Sequence, residues 1–491
     1  MRRATSCAVE LLPLRQSPGI LKKLLSETII YGIGAILPRI ILFVLNPLYI
    51  LFIPREEFAQ FTSLYAMVSF VNIVLTFGFE TAFFRFASEK GSEKKVLSTA
   101  FWFTAVISGV FLLLTTLFST QIASGLGYSS TPEYIRWFAM IAFFDALTMI
   151  PLAYLRFKNR PVTYSAIRVG QSLIQTLLVL ALFFVVPREL SKDFGLKQNV
   201  SIAFFSNLVG SIASALMLIP VFLKIRFSLD RALLKRMVPY AFPVMVAGFA
   251  FMVNENFDKA VQIYFISKEQ AGAYGGVYKL AVVMTLFVTA YRMGIEPYFF
   301  KQMHRANAKN TYAKITEYFT LFGSVAALAI ITNISWLKLL FIPNESYWIA
   351  LDIIPFIVLA NLCFGIYYNL STWYKVTDRT LVGTYLSWLG AALTIALNLL
   401  LLKRYGFMVS AYSTLLVYFV MMVLSYLLGQ KYYPIPYRVG KISLILALLV
   451  GASFLSFEVF QQNLWIGNLI LLLFCGAVLF VFPGLFNRKS T

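Results

Sequence analysis

The sequence predicts an all-α integral membrane protein of about fourteen transmembrane helices, and three observations support this fold class. Of the 491 residues, 59% are hydrophobic and only 13% are charged, whereas soluble globular chains carry about 25% charged residues. Fourteen stretches are apolar enough and long enough to cross a bilayer, which takes about 20 helical residues. Lysine and arginine are concentrated in alternate connections between these stretches.

The fourteen apolar stretches follow one another with short connections. They span residues 27–53, 58–82, 96–119, 134–155, 162–186, 200–223, 238–263, 275–299, 312–333, 347–372, 381–402, 407–429, 439–458 and 464–485. Several contain proline or glycine, which membrane helices tolerate when neighbouring helices satisfy the freed backbone groups. Residues 1–25 lack the long apolar core of a signal peptide, so we expect them to form a cytoplasmic tail.

The basic residues predict the orientation of the chain. One set of alternating connections and both termini together carry 28 of the 42 lysines and arginines, and the other set carries about eight. Because cytoplasmic loops are enriched in basic residues, we expect a multi-pass protein of the bacterial inner membrane with both termini in the cytoplasm. The net charge of +21 is then a consequence of topology, and no nucleic-acid partner is predicted.

Several functional classes lack their sequence signals. Cys7, Cys363 and Cys475 lie far apart, so they predict neither a disulfide framework nor a metal site. The loops are too short for an ATPase domain, and no GxxxxGK motif is present. We therefore expect a protein that is not an enzyme and has no bound cofactor, with H⁺ or Na⁺ as the coupling ion.

An internal repeat relates the two halves of the chain. FIPREEFAQFTSLY (52–65) matches FISKEQAGAYGGVY (265–278), GFETAFFR (78–85) matches GIEPYFFK (294–301), and AYLRFKNRP (153–161) matches TWYKVTDRT (372–380). Because the repeat contains six helices, the two halves have the same orientation. The predicted organisation is a tail (1–25), an N-lobe of helices 1–6 (26–225), a C-lobe of helices 7–12 (226–430), and helices 13 and 14 with a short tail (431–491).

The strings FGFETAFFRFAS, GAYGGVYKLAVVM, EPYFFKQ and NLSTWYKVTDRT, in this order and topology, resemble the oligosaccharide flippases of the multidrug/oligosaccharidyl-lipid/polysaccharide exporter superfamily. The resemblance extends from about Ser26 to Arg488 and implies two lobes that alternate access around a central cavity. It also implies an O-antigen-type substrate, an undecaprenyl-diphosphate-linked oligosaccharide used in lipopolysaccharide or other surface polysaccharide synthesis. Its expected partners are the bilayer and this lipid-linked substrate, with polysaccharide polymerase and glycosyltransferases as further candidates, and the protein is expected to be a monomer.

Cations within the predicted helices are candidates for binding the anionic diphosphate, because an unpaired charge at mid-bilayer costs at least about 2.5–3.5 kcal/mol. Arg39 lies deep in helix 1, and its alternative role is an ion pair with Asp145. Arg168 belongs to a polar stripe on helix 5, or reaches back to the headgroups. Lys279 lies about one turn into the predicted helix 8, and Arg292 has an alternative partner in Glu296 at i+4.

The carboxylates within the predicted helices are candidates for coupling or gating. Glu80 and Glu296 occupy equivalent places in the two repeats and are expected to pair with cytoplasmic arginine or lysine. Asp145 is isolated in helix 4, and desolvation favours the protonated form that a proton carrier needs.

A second acidic group lies in helix 7. Within NENFDKAVQ, Glu255 and Asp258 with nearby amides predict a Na⁺ site, unless this segment is a solvated helix end in which Glu255 pairs with Lys259 at i+4.

The predicted function is export of the lipid-linked oligosaccharide by alternating access. A multidrug/cation antiporter of the same superfamily and a lipid II flippase remain alternatives. A glycan polymerase or glycosyltransferase is less compatible with the sequence, because the large outer loop that such enzymes use is missing.

Overall fold

The computed structural model describes residues 32–89, 91–193, 195–303 and 305–481. The predicted tail 1–25, the start of the first apolar stretch and the chain after residue 481 lie outside these ranges. Fourteen helices in the described part are long and apolar enough to cross a membrane. The predicted fold class is therefore confirmed.

We number these helices α1 to α14 in chain order. They are Gly32–Phe52, Arg55–Ala87, Glu93–Leu117, Pro132–Phe157, Pro161–Phe184, Asn199–Met217, Arg231–Phe265, Lys268–Phe300, Ala308–Thr332, Ile353–Val376, Leu381–Tyr405, Met408–Tyr432, Val439–Val459 and Leu464–Val481.

Three helix starts differ from the prediction: two helices begin earlier, since polar first turns do not register as apolar sequence, and one begins later, after a separate 3₁₀ turn. Helix α7 begins at Arg231 rather than near residue 238, and α8 begins at Lys268 rather than near residue 275. The α8 start is capped by Ser267, whose hydroxyl accepts a hydrogen bond from the backbone N–H of Gln270. Helix α10 begins at Ile353, after a short 3₁₀ turn over Glu345–Ala350.

The two lobes meet along α2, which packs against α7 and α8 of the other lobe. Helices α13 and α14 pack against α9, where the side-chain amides of Asn333 and Asn468 hydrogen-bond to each other at 3.2 Å. We call the end of the bundle that carries the lysine- and arginine-rich loops the basic end, and the other the opposite end.

Helix α2 is interrupted near the basic end. Phe77 and Gly78 both have left-handed backbone conformations, with φ of 51° and 69°. A Cβ at Gly78 would lie 2.6 Å from the carbonyl oxygen of Ala241, so this position requires glycine for both conformation and space. The repeat-equivalent residue, Gly294, lies in the continuous helix α8, where a Cβ would meet nothing within 4 Å.

At the opposite end the lobes are in backbone contact. A Cβ at Gly272 of α8 would lie 1.8 Å from the carbonyl oxygen of Arg55, and one at Gly275 would lie 2.4 Å from the Thr62 methyl group. The Tyr347 hydroxyl donates a hydrogen bond of 2.6 Å to the carbonyl oxygen of Ile53. The first turns of α2 and α8 are therefore closed against each other.

Candidate functional site

A cavity of about 460 Å³ lies between the lobes, within the size range of small-molecule sites, about 300–1,000 Å³. Helices α1, α2, α5 and α6 form its N-lobe side, and α8 alone forms its C-lobe side. The lining residues are Arg39, Leu42, Phe43, Asn46, Tyr49, Phe61, Tyr65, Gln175, Asn207, Lys279, Val282, Thr285, Leu286 and Thr289.

Two of the predicted cations meet in this cavity, although they are 240 residues apart in sequence. Arg39 enters from α1 and Lys279 from α8. Lys279 lies three turns into α8, because the helix starts earlier than predicted. Within the described residues, neither forms an ion pair, and no carboxylate lines the cavity. The cavity therefore has a positive potential suited to an anion.

Amides and hydroxyls complete the polar part of the cavity wall. Asn46, Gln175, Asn207, Thr285 and Thr289 face the same space as the two cations. Thr285 donates a hydrogen bond of 2.8 Å to Asn361, which fixes its orientation. The phenyl ring of Phe61 lies 5.7 Å from the Lys279 ammonium. Such donors can bind the oxygens of a phosphate or a sugar.

Asp145 does not pair with Arg39, contrary to the predicted alternative. The Ser211 hydroxyl donates a hydrogen bond of 2.9 Å to its carboxylate. Ser211 is also 3.5 Å from Asn207, whose amide donates a hydrogen bond of 2.8 Å to the Tyr65 hydroxyl. Asp145 is thus connected to the cavity wall by a chain of polar side chains.

Arg168 and Arg292 lie outside the group of cavity-lining residues. Arg168 donates a hydrogen bond of 3.1 Å to Gln171 on its own helix. Two other residues of the predicted polar stripe on this helix, Ser172 and Gln175, are buried. Arg292 is exposed; its guanidinium lies over the ring of Tyr368 at 4.4 Å and 3.9 Å from Glu296. The predicted pair within α8 is present.

The two repeats contain matching ion pairs at the basic end. Glu80 of α2 pairs with Arg156 of α4, and the equivalent Glu296 of α8 pairs with Lys375 of α10, at 3.1 Å. Arg156 and Lys375 occupy equivalent places in the sequence repeat. Each cation also lies over an aromatic ring, Phe84 for Arg156 and Tyr368 for Lys375. Both pairs therefore join two helices of one lobe.

The acidic group of α7 is buried, so the predicted alternative of a solvated helix end is wrong. Asp258 has a side-chain exposure of 5%, and Lys259 one of 12%. The Lys259 ammonium lies 3.2 Å from the Asp258 carboxylate and donates a hydrogen bond of 2.7 Å to the Glu255 backbone carbonyl. The predicted pairing of Lys259 with the Glu255 carboxylate is therefore also wrong. Tyr418 of α12 donates its hydroxyl to that carboxylate instead.

Several partners of these charges were not predicted from the sequence. Arg156 and Lys375 lie in the last turns of α4 and α10, just beyond the predicted spans 134–155 and 347–372, where the sequence does not distinguish them from the other cations of the basic connections. Tyr418 and Tyr274, which bind Glu255 and Asp258, are two of 27 tyrosines in the chain. The repeat alignment is the one signal that points to a pair, because it places Arg156 and Lys375 in register just as it does Glu80 and Glu296.

The fold and the cavity define an all-helical, multi-pass membrane protein with a cavity between its two halves. Residues 24–303 match the family of polysaccharide biosynthesis proteins, and the chain belongs to this family. No curated protein is similar enough in sequence to count as a match.

Solved structures of transporters share the fold. A lipid II flippase, MurJ, in an inward closed conformation superposes with a TM-score of 0.72 at 17% identity, covering 92% of this chain and 99% of the other. An inward-facing multidrug resistance MATE family transporter of the MOP superfamily has a TM-score of 0.64 at 13% identity, covering 85% and 99%. A variant of the Vibrio cholerae MATE transporter VcmN has a TM-score of 0.58 at 14% identity, covering 84% and 96%. At these identities the similarity shows the fold alone.

Proposed function

We propose that this protein is a flippase that moves an undecaprenyl-diphosphate-linked oligosaccharide across the bacterial inner membrane for surface polysaccharide synthesis. The observation that carries the proposal is the inter-lobe cavity, to which Arg39 and Lys279 bring two cations and to which the described chain brings no carboxylate. A diphosphate supplies the anionic charge that such a cavity lacks. The family membership supports a role in polysaccharide synthesis.

In this proposal the two cations have different roles in recognition. The Arg39 guanidinium is planar and can bind two phosphate oxygens at once, whereas the Lys279 ammonium acts as a point charge. Because the cations belong to different lobes, a bound diphosphate bridges the lobes. Rocking of one lobe against the other then exposes the headgroup to the other side, while the prenyl chain stays in lipid. The basic end is the cytoplasmic end, where substrate enters, and a gradient of H⁺ or Na⁺ or the membrane potential drives the cycle.

The test is complementation of a deletion strain. We expect the deletion to remove surface polysaccharide and to accumulate lipid-linked oligosaccharide in the cytoplasmic leaflet. The wild-type gene restores export, and the double variant Arg39→Ala, Lys279→Ala does not. The matched control is Lys403→Ala, Arg404→Ala, which removes the same two charges from the exposed end of α11 and is expected to restore export. Normal export by the cavity variant would refute the site assignment.

A lipid II flippase is the second candidate, favoured by the superposition on MurJ. The same strain distinguishes it, because depletion would then arrest growth with accumulation of lipid II rather than remove a dispensable polysaccharide. A multidrug antiporter would instead leave the polysaccharide intact and increase drug sensitivity on deletion.

A further inference from the structure

The buried acidic group of α7 contains its own cation. The ammonium of Lys259 is within 3.2 Å of one Asp258 oxygen and within 2.7 Å of the Glu255 carbonyl oxygen. The ring of Tyr278 lies 3.7 Å below it. A carboxylate, a backbone carbonyl and an aromatic face are together a coordination shell for a monovalent cation, and here a lysine side chain occupies it.

Each of the two carboxylates also accepts a hydrogen bond from a tyrosine. Tyr274 donates its hydroxyl to the second Asp258 oxygen, and Tyr418 donates to Glu255. Neighbouring amides are also engaged: Asn254 donates to the Ser387 carbonyl at 3.0 Å, and Gln262 donates to Ser410 at 2.8 Å. The NH2 groups of both amides and one oxygen of each carboxylate are therefore hydrogen-bonded within the protein, while the side-chain oxygen of Gln262 is buried without a hydrogen-bond partner.

A free sodium ion does not fit this arrangement. It would have to take oxygen ligands from Asp258 and Glu255 at a position already within contact distance of an ammonium, and two like charges at that distance repel strongly in a buried site. The residues predicted to form a Na⁺ site therefore form a closed internal ion pair.

We infer that the Lys259 ammonium is a built-in replacement for a monovalent cation in the C-lobe, so that this cluster is independent of Na⁺ and becomes a Na⁺ site only when Lys259 is shortened. The inference does not depend on the identity of the transported substrate. It concerns the ionic requirement of the C-lobe, whichever lipid or solute enters the cavity.

The experiment compares thermal unfolding of the purified full-length protein in NaCl and in choline chloride at equal ionic strength and mildly alkaline pH. We expect the wild type to melt at the same temperature in both salts. Lys259→Ser removes the ammonium and leaves space beside Asp258 and the Glu255 carbonyl. In choline chloride this variant is expected to melt at a lower temperature than the wild type. Saturating Na⁺ is expected to raise its melting temperature by on the order of 1–3 °C.

Two further variants separate a cation site from a general effect of salt. Lys259→Met removes the charge but keeps a side chain that fills the space, so no Na⁺-specific rise is expected. Asp258→Asn combined with Lys259→Ser removes the carboxylate as well and should also fail to respond.

Two results would overturn the inference: a Na⁺-specific rise in the wild type that Asp258→Asn abolishes, or the same melting temperature for Lys259→Ser in both salts. The wild-type measurement keeps the test decisive if the serine variant does not fold.

Discussion

At the residue scale, the ion pairs at the basic end show how the repeat conserves an interaction while changing its strength. The Glu80 and Arg156 side chains are 43% and 34% exposed, and those of Glu296 and Lys375 are 36% and 23% exposed. Arg292 also contacts Glu296, so the C-lobe carboxylate has two cations. Because solvent screens exposed pairs, the C-lobe pair is expected to be the stronger of the two.

A double-mutant cycle measures this difference. For Glu296→Gln and Lys375→Met we expect a coupling energy of about 0.5–1 kcal/mol, the upper part of the range for partly exposed pairs. The same cycle on Glu80 and Arg156 should give a smaller value. The measurement is the apparent unfolding free energy in detergent for the two single variants and the double variant of each pair. A larger coupling in the N-lobe would contradict the assignment of strength from exposure.

The sequence predicted which charged residues lie inside the helices, but it did not predict all of their contacts. A cation inside an apolar stretch stands out in sequence, so Arg39 and Lys279 were found without a structure. Their convergence in one cavity depends on the packing of α1 against α8, which no local pattern encodes. Lys259 illustrates the opposite failure: helical spacing favours a partner at i−4 over a neighbour at i−1, but the Tyr418 hydroxyl takes the Glu255 carboxylate and leaves Lys259 to Asp258.

At the element scale, the contact between α2 and α8 depends on the absence of side-chain atoms. Gly272 approaches the Arg55 carbonyl more closely than any other residue type allows, and Gly275 does the same at Thr62. Backbone atoms cannot move aside as a flexible side chain can. The closed arrangement of the opposite end therefore requires glycine at position 272, whereas a Cβ at position 275 would require the Thr62 side chain to shift.

The variant Gly272→Ala is expected to prevent this closure. The added methyl group would overlap the Arg55 carbonyl, so the two helix starts must separate, and the protein should spend most of its time open at the opposite end. The measurement is the rate at which a maleimide reagent labels a cysteine introduced at Thr62. The reagent is added on the side of the opposite end. We expect the labelling rate to rise roughly tenfold, the factor by which the open population rises when closure loses about 1.4 kcal/mol of free energy.

The matched control for this variant is Gly451→Ala in α13, where a Cβ meets nothing within 4 Å. It tests the effect of replacing a helical glycine in the same protein. Equal labelling rates in Gly272→Ala and Gly451→Ala would show that the backbone contact does not hold the opposite end closed.

At the scale of the whole molecule, the distribution of apolar residues along the sequence was sufficient to predict fourteen spans, because each crossing of the bilayer needs about 20 mainly apolar residues. The helix ends were predicted less accurately, because the polar first turns of α7 and α8 extend beyond their apolar segments. The predicted lobe boundaries stay a prediction. The interruption of α2 at Gly78 has no counterpart in α8, so the two halves differ where their sequences match.

Orientation gives a test that involves every span. If the basic end faces the cytoplasm, Ser88→Cys in the loop after α2 should react with a membrane-impermeant maleimide only after the membrane is permeabilised. Ser346→Cys, exposed at the opposite end, should react in intact cells. Both are placed in a background without the three native cysteines. Reaction of Ser88→Cys in intact cells would reverse the predicted topology.

The position of Lys259 also bears on how the protein would respond to the salt concentration around it. A dissolved ion occupies a site according to its concentration and dissociation constant, whereas a side chain held on the same helix has a fixed local concentration that the medium cannot dilute. An ammonium attached to α7 therefore neutralises Asp258 equally at low and at high concentrations of dissolved salt. It also cannot dissociate from the protein, so this part of the C-lobe neither takes up nor releases a cation.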